Sequence, residues 1–184
     1  MHSYGGWAMY CDEGSSYLLI EGNCCYRTDA EVLQLHYGRE NMVRNNIFAF
    51  SELGQVSQTV LEAHRGITFI HNIVLTDGQA VYSARDGEDL AKGGFWADLN
   101  CLWDIGDRPV YAANQHRDAD GDTVFSRRYE LDELRRLGFD RHSLSVDPGC
   151  TDPAAGDFSL PLDSPVWELG LQPMLWEQAG IRPE

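Results

Sequence analysis

Apolar and polar positions along the 184-residue chain fall into a recurring figure. In Ile20-Glu-Gly-Asn23-Cys-Cys, Val43-Arg-Asn-Asn46-Ile-Phe, Phe69-Ile-His-Asn72-Ile-Val and Ala97-Asp-Leu-Asn100-Cys-Leu, an apolar residue precedes two variable ones, an Asn and two more apolar residues. Four of the seven asparagines fit, at intervals of 23, 26 and 28 residues. Self-similarity at such a period marks a stacked architecture. The flanks, such as Ile47-Phe-Ala-Phe50 and Ile73-Val-Leu75, are short and rich in branched and aromatic residues, which predicts strands. Short strands at this period predict an all-β fold, a parallel β-helix of few coils. A sandwich in which the asparagines coincide by chance is the alternative. In a β-helix an Asn suits the left-handed corner between two strands, and stacked amides can bond from coil to coil. Asn23, Asn46, Asn72 and Asn100 are the expected ladder. Cys24 and Cys25 align with Ile47-Phe48, Ile73-Val74 and Cys101-Leu102, so they read as fillers of apolar positions.

Two polar excursions, 52–66 and 76–96, interrupt the figure, and excursions on one face of a solenoid commonly form its functional wall. The coils are expected to span about 5–112 of a single domain. Beyond Asn100 the pattern dissolves: 114–125 reads as a loop, Leu131–Leu137 as a helix closed by Gly138 with acids first and bases last, and the Pro- and Gly-rich tail as a cover for the end of the stack.

Composition narrows the function classes. At 20.7 kDa the chain can bury a sizeable core. Its net charge of −15 disfavours nucleic acid and anionic lipid, which require clustered Lys and Arg. The acids are scattered, which argues against DNA mimicry. No run approaches the ~18 apolar residues of a membrane span, and the N-terminus lacks the basic start and apolar run of a secretory signal. The five cysteines, Cys11, Cys24, Cys25, Cys101 and Cys150, show no C-x-x-C pair and no zinc spacing with His, so all are expected to be reduced. Asp118-Ala-Asp-Gly-Asp122 is similar to a calcium loop, but no Glu follows where an EF-hand needs it. No metal or cofactor is expected. A G-x-S-x-G nucleophile elbow is absent, and the acidic balance disfavours a lyase acting on an anionic polymer.

The stretches YCDEGSSYLLIEGNCCYRT, HYGRENMVRNNIFAF, LEAHRGITFIHNIVL and FDRHSLSVDPGCTDPAAGDFSLPLDSPVWELG occur in this order. Together they resemble the C-terminal end of bacterial right-handed parallel β-helix proteins of the group containing glycoside hydrolase family 141. The similarity covers roughly residues 3–180; GGW…Y.DEGSS and HYGRENMVRNNIFAF are its more specific parts. The resemblance implies an exported, extracellular or periplasmic, carbohydrate-active protein acting on polysaccharide or oligosaccharide. It also implies that the chain is the C-terminal part of a longer β-helix. Glycoside hydrolysis uses two carboxyl groups, about 5–5.5 Å apart in retaining and about 6.5–9.5 Å apart in inverting enzymes. The resemblance assigns one of them to Asp12 of the D-E-G motif and the other to an earlier coil. The alternative is a non-catalytic carbohydrate-binding or structural module.

From the residues alone, Asp12 reads as a turn former ahead of Gly14, and Glu13 beside it as a sugar contact or a solvated acid. Alternation along a strand puts adjacent side chains on opposite faces, so the two are not expected to form the pair, and a second acid within this chain would be one such as Glu13 or Glu40. Alternation places Gln34 and His36 together on the polar face, where His36 could bind a hydroxyl or carry a proton. His64 falls on a matching family position and reads otherwise as a loop histidine. Trp7, Tyr10 and Trp96 could stack on sugar rings or plug the core. A first coil with bare strand edges is expected to pair end to end with another copy.

Overall fold

The computed structural model describes residues 4–176. Each repeat of the sequence figure becomes one coil of three short strands. The first coil holds β1 (Met9–Cys11), β2 (Leu19–Glu21) and β3 (Cys24–Tyr26); the second holds β4 (Leu33–Leu35), β5 (Asn41–Arg44) and β6 (Ile47–Ala49). The third holds β7 (Val56–Gln58), β8 (Ile67–Ile70) and β9 (Ile73–Thr76), and the fourth β10 (Tyr82–Ala84), β11 (Phe95–Asp98) and β12 (Cys101–Asp104). A hairpin follows, β13 (Tyr111–Arg117) and β14 (Thr123–Glu130), then helix α1 (Leu131–Leu137). Like strands stack in register into three sheets: A, β1-β4-β7-β10-β13-β14; B, β2-β5-β8-β11; and C, β3-β6-β9-β12. Every pairing is parallel except β13 with β14. The protein is a parallel β-solenoid of about four turns.

The asparagine ladder runs along the corner between sheets B and C. Asn23 Nδ2 donates to Asn46 Oδ1 at 2.9 Å, Asn46 to Asn72 at 2.9 Å and Asn72 to Asn100 at 3.3 Å. The left-handed residue at this corner is the one before each ladder Asn: Gly22, Asn45, His71 and Leu99, with φ of 69°, 52°, 53° and 57°. The corner therefore needs two things from adjacent positions, an αL backbone and an amide side chain, and the ladder Asn supplies only the second. The ladder ends at Asn100, whose N–H donates to Ser143 Oγ (2.8 Å) and whose Nδ2 donates to Asp140 Oδ1 (3.2 Å).

Inside the coils, Cys25, Phe48, Val74 and Leu102 form one row in register, with the rings of Phe69, Tyr82, Phe95 and Phe139 packed in series. Cys24, Ile47, Ile73 and Cys101 point out of sheet C into a second cluster with Phe158, Val166, Leu169 and Leu171. Both cysteines are thus apolar fillers. All five are free thiols, and burial pushes Cys24, Cys101 and Cys150 up to about 12.

Three expectations are corrected. Each excursion contains a strand of sheet A, β7 and β10, too short and polar to stand out from its flanks. Residues 114–125 belong mostly to the β13–β14 hairpin, with a tight turn at 118–122 closed by Gly121 N–H on Asp118 O. The tail covers the outer face of sheet C; the end of the stack is plugged by Leu134 of α1 and by Phe139, which share the inner core with Tyr82 and Phe95.

Candidate functional site

The register of sheet A decides which side chains share its outer face. Tyr10, Gln34, Ser57, Ser83 and Ala113 lie in one row. One step past the inward residues Cys11, Leu35, Gln58 and Ala84 and their partner Asn114 come Asp12, His36, Thr59, Arg85 and Gln115. Stacking in register thus brings residues more than a hundred positions apart onto one polar surface.

At the first-coil end of this surface, Tyr10 Oη donates to Asp12 Oδ1 at 3.2 Å, and His36 Nδ1 lies 3.6 Å from the same oxygen. The Asp12 side chain is 68% exposed. Its backbone carbonyl closes the turn with the Ser15 N–H, 3.0 Å, so Asp12 is a turn residue through its main chain while its carboxylate faces the sheet. The next coil nests closely beneath: a Cβ on Gly38 would lie 1.9 Å from Ser15 O. Glu13 follows in the turn and is exposed.

Trp7 joins this group to a second one. Its ring stacks on Tyr10 with centroids 4.8 Å apart, and the Arg85 guanidinium lies 6.0 Å from its centroid. Its Nε1 donates to Glu31 Oε2 at 2.9 Å. Glu31 is fully buried, its Oε1 accepting from Gln115 Nε2 at 2.9 Å and its Oε2 facing Arg85 at 3.5 Å. Gln115 also donates to Ser83 Oγ (3.0 Å), and Gln34 Oε1 accepts from Ser57 Oγ and from Arg85 (3.3 Å). A buried carboxylate is tolerated because a guanidinium, an amide and an indole N–H satisfy it together. Sequence reasoning missed Glu31, Arg85 and Gln115. Their contacts cross three coils, and no local pattern signals that a Glu at a turn is drawn under a Trp. The one available signal was the alternation that set Gln34 beside His36.

The remaining candidates are His64, Trp96 and Glu40. His64 Nε2 sits 3.1 Å from Glu62 Oε2 and 3.2 Å from Gly38 O, on the connection that follows β7. Trp96 is on sheet B, under the Arg65 guanidinium at 5.1 Å. Glu40 is exposed, in the turn leading into β5. A groove of 840 Å³ between the Glu21–Arg44 ion pair, His71 and residues 172–176 of the tail contains none of them.

Among the described residues, no cluster of three or more His, Cys, Asp or Glu side chains is arranged to hold a metal ion. No described helix is long and apolar enough to cross a membrane. Fold and geometry define the class as a parallel β-solenoid with a polar, partly covered outer sheet. Comparison with known proteins found no matching family model, curated protein or solved structure.

Proposed function

We propose that the outer face of sheet A is a glycan-binding surface of a glycoside hydrolase-like protein, with Asp12 as one of its acids. The observation that carries this reading is the Asp12 carboxylate, exposed at the surface yet held by Tyr10 and His36. A carboxylate with an adjacent imidazole and a phenol can accept sugar hydroxyls and can take or give a proton. Glycosidic hydrolysis asks for a second carboxyl group on the far side of the bond. Glu31 is linked to Asp12 through the Trp7–Tyr10 stack, and Glu13 lies beside it. Polysaccharide as partner and export from the cell belong to the same proposal, through the resemblance of the motifs around Asp12.

One observation favours a binding module instead: the Glu31 carboxylate is committed to Trp7, Gln115 and Arg85 and has no exposed surface. The two readings separate in a reducing-sugar assay of the purified chain on fucosylated and xylose-based glycans, beside Asp12→Asn. Turnover that drops at least a hundredfold in the variant is the hydrolase result. Binding without turnover, weakened in the variant, is the module result. Neither binding nor turnover on any glycan contradicts both.

A further inference from the structure

The cluster around Glu31 is more elaborate than its place in the fold demands. Polar groups buried on the outer face of a sheet need hydrogen-bond partners, and a buried carboxylate needs them most. Here Glu31, Gln34, Ser57, Ser83 and Gln115 are buried on that face. Charge within the cluster is balanced, one carboxylate against one guanidinium, Glu31 with Arg85. One acceptor is left over: Gln115 Oε1 is buried with no hydrogen-bond partner among the described residues. A buried amide oxygen without a donor costs free energy, and a hydroxyl would satisfy it.

The Trp7 indole reaches over Glu31 and Arg85 from a short arm. Trp7 follows Gly5 and Gly6, both at positive φ (69° and 83°). A Cβ on Gly5 would lie 1.9 Å from the Trp7 ring, so the indole folds back on a residue that has to be glycine. Paired glycines leave this arm with little conformational preference of its own. Among the described residues, the contacts that hold Trp7 over the cluster include the bond to Glu31, the stack on Tyr10 and the guanidinium of Arg85.

We infer that Glu31, Arg85, Gln34, Ser83 and Gln115 form a subsite for a neutral sugar unit that opens when the Trp7 indole is displaced. Its donors and acceptors match vicinal hydroxyls: the carboxylate accepts two, the guanidinium donates, and Gln115 Oε1 takes the donor it lacks. A uronate would bring a second carboxylate against Glu31, so the class is neutral. Entry requires the Trp7 indole to leave Glu31, whose carboxylate the sugar hydroxyls then occupy. The subsite deepens the glycan reading of sheet A and rests on it.

The test uses isothermal titration of the full chain with cellohexaose, xylohexaose and hexagalacturonate. Wild type is expected to bind at least one neutral hexamer and not the uronate. Trp7→Ala, which removes the competitor for Glu31, is expected to tighten that binding about tenfold. Glu31→Gln, which keeps the shape, is expected to weaken it at least tenfold, with retained thermal unfolding as the check on folding. Neutral binding that is lowered by Asp12→Asn but unchanged in both Trp7→Ala and Glu31→Gln overturns the subsite and leaves the glycan surface standing. Tighter binding of the uronate than of either neutral hexamer overturns the neutral class. No binding of any hexamer by wild type or by Trp7→Ala overturns subsite and surface together.

Discussion

Asn72 shows what a ladder position does. It is fully buried, donates to Val43 O, Ile70 O and Asn100 Oδ1, and accepts from both the backbone and the side chain of Asn46. Asn72→Ala removes every one of these and strands buried groups, at a cost of about 2–4 kcal/mol. Among the described residues, Asn23, half-buried at the end of the ladder, donates through its side chain to Glu21 O and Asn46 Oδ1, so Asn23→Ala is expected to cost under about 1 kcal/mol. Urea denaturation midpoints compare the two; equal losses would contradict a ladder whose worth grows with burial. The spacing of the four asparagines made the ladder legible. Its terminus did not show, because Asp140 and Ser143 lie forty residues further on and past a helix. Burial there raises Asp140 to about 6, against its bonds from Ser143, Asn100 and Tyr82. Between about pH 4 and 6 the native chain therefore keeps a proton that the unfolded chain has lost, and stability falls as pH rises through that window. The change is on the order of 3 kcal/mol by pH 7. Asp140→Asn removes it: wild type is expected to lose stability relative to this variant between pH 4 and pH 7 in urea melts. A pH-independent difference would contradict the assignment.

At the scale of elements, strand length set what could be read. β6 is all-apolar, β9 opens with three apolar residues, both adjoin an Asn, and they stood out. β7 and β10 are three residues each, Val-Ser-Gln and Tyr-Ser-Ala, and were hidden in polar surroundings because only one or two of their side chains face the core. The same alternation hid the site, since the outward residues of those strands are the ones that line it. Helix α1 was legible from its three leucines and its Gly138 stop, which adopts φ 102°. Its role as a plug was not, because the helix period shows a face and not what the face meets. Leu134 is buried against the inner core and Leu137 is 44% exposed. Leu134→Ala is accordingly expected to cost about 2–4 kcal/mol and Leu137→Ala within about 0.5 kcal/mol, read from thermal or urea unfolding. Similar losses at both positions would mean that α1 lies differently on the stack.

For the whole molecule, the two ends of the solenoid differ. The last coil is closed by the hairpin, α1 and Phe139. The first coil has a strand neighbour on one side only among the described residues, and Tyr17, Leu18, Leu19 and Tyr26 are exposed around it. Unpaired strand edges with apolar neighbours favour pairing with another copy. The purified chain is expected to self-associate with rising concentration in light scattering, and Leu19→Lys, a charge set on the edge strand β2, to shift it toward monomer. A monomer at every concentration would contradict this end-to-end contact.

The outer face of sheet A remains the centre of the functional account, and one measurement reaches it most directly. Amide and indole resonances of the isotope-labelled chain can be followed by nuclear magnetic resonance during titration with a neutral hexasaccharide. The account predicts that the shifts concentrate at Asp12, His36 and the Trp7 indole N–H, whose bond to Glu31 the sugar replaces. Shifts confined to the His71 groove, or a Trp7 indole that does not move at saturation, would contradict it.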